Sequence, residues 1–104
     1  MSRRESNRAH KLKSRYGITV AQYDALLSAQ DGKCAICEAT ACKSGRAFAV
    51  DHDHACCPGR ESCGACVRGL LCANCNRAIG MFNDSPERLE VAAAYLRMGI
   101  PSAP

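Results

Sequence analysis

The chain has no tryptophan, and only two phenylalanines and three tyrosines among its 104 residues. A domain this short, with aromatics at 5%, cannot draw much stability from packed rings, so a metal or covalent staple is expected. No apolar run approaches the roughly 18 residues that cross a bilayer, which excludes a membrane partner. The opening Met1-Ser-Arg-Arg-Glu-Ser-Asn-Arg8 lacks the apolar stretch of a secretion signal, and a cytoplasmic location is expected. Hydrophobic residues at 47% exclude a wholly disordered chain. No internal repeat or interdomain linker divides it, so one domain is expected.

Cysteine, by contrast, is abundant: nine residues, all between positions 34 and 75. An odd number cannot pair completely within one chain, and thiols in a reducing compartment serve more often as metal ligands than as disulfides. Cys34-Ala-Ile-Cys37 and Cys72-Ala-Asn-Cys75 form two Cys-x-x-Cys pairs with 34 residues between them. Together they supply four thiolates, enough for a closed tetrahedral structural zinc site. Their separation exceeds that of a minimal finger, so the metal should clip the base of an inserted hairpin. A thioredoxin-like thiol pair would need a β-α-β context that is missing here.

Five cysteines remain: Cys42, Cys56, Cys57, Cys63 and Cys66. A second zinc on Cys56, Cys57, Cys63 and Cys66 is expected. Neighbouring side chains diverge, so Cys42 is an alternative to one of the adjacent pair. The bland reading is free thiols, or a disulfide formed on purification.

Charge is concentrated at the start. Residues 1–15 carry Arg3, Arg4, Arg8, Lys11, Lys13 and Arg15 against the single acid Glu5, whereas the whole chain is only +4. This describes a basic N-terminal arm, 1–15, ahead of a domain over 16–104. The arm either neutralises nucleic-acid phosphates or is a solvated terminus. Thr19-Val-Ala-Gln22 has the capping-box form and predicts a helix over 20–30, stopped at Asp31-Gly32. Residues 46–50 and 67–71 are the strand-like runs, giving a short hairpin. Residues 76–82 suit one or two helical turns beneath the metal. Asp84 or Ser85 should cap a helix over 86–98, whose stripe of Leu89, Ala92, Ala93, Tyr95 and Leu96 reads most simply as core, with a dimer surface as the sharper alternative. The class is small α+β.

The densest chemistry lies in Val50-Asp51-His52-Asp53-His54. Four consecutive ionisable residues cannot all be buried cheaply, so they should sit at a strand's end facing solvent or substrate. A straight strand sends Asp51 and His52 to opposite faces, so the chain must bend if both serve one site. Two readings stand: His52 and His54 as zinc ligands, or Asp51 as an oxygen ligand to a hard divalent cation with neutral His52 deprotonating a water.

These motifs, in their order, carry a resemblance. Gly32-Lys-Cys34-Ala-Ile-Cys37, Val50-Asp-His-Asp-His54, Val67-Arg-Gly-Leu-Leu-Cys72-Ala-Asn-Cys75-Asn76 and Ala94-Tyr-Leu96 resemble the recombination endonuclease VII group of HNH nucleases, as does the lead-in Tyr16 to Gln30. The resemblance implies a zinc-stabilised ββα-metal (HNH, His-Me finger) core with flanking helices, clipped by zinc on Cys34, Cys37, Cys72 and Cys75. It implies that Asp51 and Asn76 bind a catalytic Mg²⁺ or Mn²⁺, that His52 is the general base, and that His54 assists at the phosphate. DNA is the implied partner, gripped by the basic arm and Arg68, in a bacterial or phage-infected cell. Relatives that resolve four-way junctions carry a further helical region and work as intertwined dimers. The function the resemblance implies is a metal-dependent endonuclease that hydrolyses DNA phosphodiester bonds, by nicking or by cleaving branched DNA such as Holliday junctions, as a monomer or a homodimer. The alternative function is a non-catalytic, zinc-finger-like DNA-binding module.

Overall fold

The computed structural model describes residues 2–101. Helix α1, Arg3–Lys11, starts where the Ser2 hydroxyl accepts the Glu5 amide at 3.1 Å. None of its residues is buried, but it runs on into a π-helical turn, Leu12–Tyr16, and there Leu12 enters the core. The basic segment is therefore a helix anchored at its C-terminal end. Arg8 lies 5.1 Å over the Tyr23 ring and pairs with Asp24 at 3.5 Å, so part of the positive charge is spent on packing.

Helix α2, Val20–Ala29, forms as expected. The Thr19 hydroxyl accepts the Gln22 amide at 3.1 Å, and the Gln22 side chain accepts the Thr19 amide at 2.7 Å. Tyr23 is buried and donates its hydroxyl to the Phe48 carbonyl at 2.7 Å. Just past the helix, Gln30 accepts the Leu70 amide at 2.8 Å and donates to the Leu70 carbonyl at 3.0 Å. One side chain thus stands in for a third strand.

Strands β1, Ala49–His52, and β2, Val67–Leu71, pair antiparallel with Ala49 opposite Leu71, Val50 opposite Leu70 and Asp51 opposite Gly69. His52 then faces Val67, so Arg68 is an extra residue in β2 and the ladder bulges. The first strand begins and ends later than the run 46–50 suggests. The Phe48 carbonyl is taken by Tyr23, and the bulge carries pairing on through Asp51 and His52.

The core is small: Leu12, Ile18, Tyr23, Phe48, Val50, Leu70 and Leu71, with Cys34, Cys42 and Cys72 among them. Leu70 is fully buried. Cys42 does not join the second cysteine group; it is a core residue whose thiol faces the Ala47 carbonyl at 3.8 Å.

Helix α3, Ala73–Met81, starts before Asn76 because the Cys72 sulfur caps it, accepting the Cys75 amide at 3.4 Å. It packs on both strands. Asn83 and Asp84, both in the left-handed region at φ 54, turn the chain into α4, Pro86–Met98, whose cap is Ser85 rather than Asp84. The expectation that the α4 stripe is core is overturned: no α4 residue is buried, and Val91, Tyr95, Leu96 and Met98 are all exposed. After the Asn83-Asp84 turn, the helix leaves the strands instead of crossing them. Among the described residues, no helix is long and apolar enough to cross a membrane.

Candidate active site

Cys34 and Cys37 come from the loop after α2, while Cys72 and Cys75 come from the end of β2 and the first turn of α3. The four sulfurs lie within 4.8 Å of one another, with Cys37 and Cys72 at 3.7 Å. A tetrahedral zinc with bonds of about 2.3 Å sets its sulfurs about 3.8 Å apart, so the donor set fits zinc. Burial opposes ionisation of Cys34, but the amides of Cys72, Cys37 and Ile36 outweigh it and bring the thiol down to about 6. Burial and hydrogen bonding to the neighbouring sulfurs push Cys75 up to about 12. One preformed thiolate beside a reluctant thiol is a cluster that a dication would complete.

This clip fixes the foot of the hairpin, and the bulge aims its upper end. Asp51 and His52 are 7% and 4% exposed, contrary to the expectation that the polar run faces solvent; Asp53 and His54 are exposed. Each buried group has partners that make burial affordable. Arg68, freed from the ladder by the bulge, donates to both Asp51 oxygens, Nε at 2.7 Å and a terminal nitrogen at 3.0 Å. This hydrogen bonding raises the Arg68 pKa further. The Nε2 atom of His52 lies 3.0 Å from the Cys57 carbonyl and 3.0 Å from the Gly59 carbonyl. Carbonyls only accept, so Nε2 carries the proton and Nδ1 is the acceptor of the neutral ring.

His54 donates from Nδ1 to Asp84 at 2.8 Å, and Arg68 reaches the same carboxylate at 3.1 Å. Burial works against ionisation of Asp84, but the bonds from His54 and Arg68 outweigh it and hold its carboxyl below the usual range.

A cleft of about 440 Å³ is lined by Arg15, Tyr16, Asp51, His52, His54, Arg60, Glu61 and Asn76. The structure therefore brings Asp51, His52, His54 and Asn76 to one cavity and adds Arg15 from the basic segment. Arg68 lines the adjoining cavity with Asp53, His54 and Asp84. Arg3, Arg4, Arg8, Lys11 and Lys13 line neither.

With that arrangement in view, the comparisons with known proteins are specific. The sequence pattern of the recombination endonuclease VII family matches residues 9–98. The chain belongs to this family. Two relatives are each called Gene 59 protein. That of Mycobacterium phage D29 is 42% identical over 83 residues, 79% of this chain and 45% of the relative. That of Mycobacterium phage L5 is 38% identical over 82 residues, 78% of this chain and 44% of the relative. The chain thus spans under half the length of the curated relatives it matches.

In this endonuclease VII family chain, several groups at the two cavities escape the sequence reading. Asp84 lies 30 positions beyond His54 and looks like an ordinary helix cap. Arg60 and Glu61 sit in the cysteine-rich insert with no motif around them. The Cys57 and Gly59 carbonyls carry no sequence signal at all, since every residue has one.

Proposed function

We propose that the chain is a DNA endonuclease module of the HNH, ββα-metal type, which hydrolyses phosphodiester bonds with a divalent cation held by Asp51 and Asn76. The observation that carries this reading is the shared cleft: an acid, an amide oxygen, two imidazoles and Arg15 line one cavity, and one imidazole is pinned by its Nε2. Carboxylate and amide oxygens are the donors that Mg²⁺ or Mn²⁺ prefers. Bound there, such a cation would stabilise charge developing on the phosphate and on the departing 3′ oxygen.

The chain's own groups do the rest. His52 takes a proton from water at Nδ1, while its Nε2 keeps its own proton and donates it to the two carbonyls, whose partial charge steadies the imidazolium. The water oxygen attacks phosphorus in line and the bond to the 3′ oxygen breaks, leaving a 5′ phosphate. His54, tied through Nδ1 to Asp84, offers Nε2 to a phosphate oxygen. Arg15 and Arg60 hold the phosphates beside the cleft, and the basic residues of 1–15 extend the grip along the backbone, which makes binding salt-dependent. Zinc on Cys34, Cys37, Cys72 and Cys75 keeps Asn76 in place, one residue beyond a ligand. A single copy nicks one strand, and a double-strand cut takes two copies. The site works in the reducing cytoplasm of an infected bacterial cell, where thiols stay free to ligate zinc.

One observation favours the competing reading, a non-catalytic DNA-binding module: Arg68 occupies both oxygens of Asp51. Supercoiled plasmid with Mg²⁺ or Mn²⁺ separates the two. Wild type should convert it to open circles, and His52→Ala should be slower by about 100-fold or more, the usual worth of a general base. Equal nicking by both proteins, or none by wild type with either cation, leaves the binding module standing.

A further inference from the structure

Besides the first cysteine cluster, the described residues hold a second set of metal-ligating atoms outside the cleft, Cys56, Cys57, Cys63 and Cys66, whose ligand atoms all lie within 4.8 Å of one another. Cys56 is 3.9 Å from Cys63 and 4.0 Å from Cys57, sulfur to sulfur. A disulfide needs about 2.05 Å, whereas sulfurs around a tetrahedral zinc stand about 3.8 Å apart. The spacing is also close to that of the first cluster, at 3.7 Å. Adjacent Cys56 and Cys57 reach a common point because the chain turns sharply there. Both amides donate to the Asp53 carbonyl, each at 3.1 Å, while the Asp53 amide donates to the Cys66 carbonyl at 2.9 Å.

The segment holding these sulfurs is tied to the rest of the chain mainly by backbone contacts: the Ser62 amide and hydroxyl donate to the Arg15 and Tyr16 carbonyls, each at 2.7 Å, and Gly17 packs closely on Cys63. Residues 55–66 read Ala-Cys-Cys-Pro-Gly-Arg-Glu-Ser-Cys-Gly-Ala-Cys, with no apolar side chain larger than cysteine or proline. Such a stretch buries too little apolar surface to offset its own ordering. Yet it supplies the two carbonyls that pin His52 Nε2. Those carbonyls belong to Cys57, one of the sulfur donors, and to Gly59, two residues further on.

We propose that Cys56, Cys57, Cys63 and Cys66 bind a second zinc ion, whose role is to hold the Cys57 and Gly59 carbonyls against His52 Nε2. The metal is structural for the insert and positioning for the imidazole; the positioning half rests on the nuclease reading of His52. Unlike the clip at the hairpin's foot, this site takes no ligand from α3. It acts through a backbone that carries both a ligand sulfur and a carbonyl bonded to the ring, the arrangement by which outer-shell partners tune a site.

Native mass spectrometry of the full chain should find two zincs, and the Cys56→Ser/Cys66→Ser double variant one. Refilling with Co²⁺ should give thiolate charge-transfer absorbance of two sites in wild type and one in the variant. Imidazole ¹⁵N spectra should show His52 as a single Nε2–H tautomer in wild type and an average of tautomers in the variant. Nicking should slow by about 10- to 100-fold in kcat with KM little changed. Should the variant fail to fold, zinc titration into stripped wild type replaces it: the His52 signal should settle with the second equivalent. One zinc per wild-type chain overturns the site. Loss of the second zinc with an unchanged His52 tautomer overturns the positioning role. Neither readout depends on cleavage, so a protein that binds two zincs and cuts nothing would refute only the nuclease reading.

Discussion

Replacing Arg68 with glutamine tests the electrostatic centre of the hairpin. Arg68 makes two hydrogen bonds to Asp51, at 2.7 and 3.0 Å, and one to Asp84 at 3.1 Å. Removing one partner of a fully buried ion pair costs about 3–5 kcal/mol, because the other charge is left stranded. Here the Asp51 side chain keeps 8% of its exposure but Arg68 keeps 40%, so solvent screening pulls the cost toward exposed-pair values. About 2 kcal/mol is a fair middle, which for a domain near this size lowers Tm by roughly 10 °C. The assay is thermal unfolding by circular dichroism, with zinc kept constant, before and after adding millimolar Mg²⁺. Without Mg²⁺, Arg68→Gln should melt well below wild type. With it, the variant should recover more than wild type gains, because its bared carboxylate accepts the cation without competition from a guanidinium. A variant melting within about 2 °C of wild type would show that Asp51 does not depend on Arg68. A deficit that Mg²⁺ leaves untouched would separate Asp51 from cation binding.

Gly17→Ala should destabilise the chain by more than about 1 kcal/mol in urea, since Gly17 sits at φ 70 and a Cβ there would meet the Cys63 backbone at 2.7 Å; an unchanged midpoint would refute this interlock. Zinc affinity of the first cluster should fall as pH is lowered, and more steeply below about 6, where the Cys34 thiolate is lost as well; chelator competition on either side of pH 6 checks this, and equal affinities would contradict it. Zinc binding near neutral pH should also release protons, Cys75 among the donors because its thiol lies at about 12, as an unbuffered titration would record.

What could be read in advance was local. The Thr19 and Gln22 box needs only four residues of chain, and the four-sulfur clip is written in two pairs whose internal spacing is set by knuckle geometry. The burial of Asp51 and His52 was not legible, because it depends on partners that lie far off or carry no side-chain signature: Arg68, 17 positions away, and two loop carbonyls. Strand limits failed for a related reason. The Tyr23 hydroxyl takes the Phe48 carbonyl, a contact across 25 residues, and the bulge shifts the pairing that remains. Helical spacing correctly groups the α4 residues on a stripe, but spacing says nothing of what lies opposite, and the turn at Asn83 and Asp84 decides that.

The extra residue in β2 determines which length changes the hairpin can survive. Strand side chains alternate with a period of two, so phase is counted in peptide units rather than in chemistry. A substitution at Arg68 leaves that count alone. Deleting the same residue would restore a regular ladder opposite Asp51 and His52 and turn one of them out of the cleft, with every thiol and every core side chain still encoded. Residues 53–66 lie beyond the bulge, where added length alters no phase between the strands. A frame of this kind is brittle to one missing codon at its neck, and it tolerates added length in the neighbouring loop only where the Cys57 and Gly59 carbonyls and the four thiols keep their places.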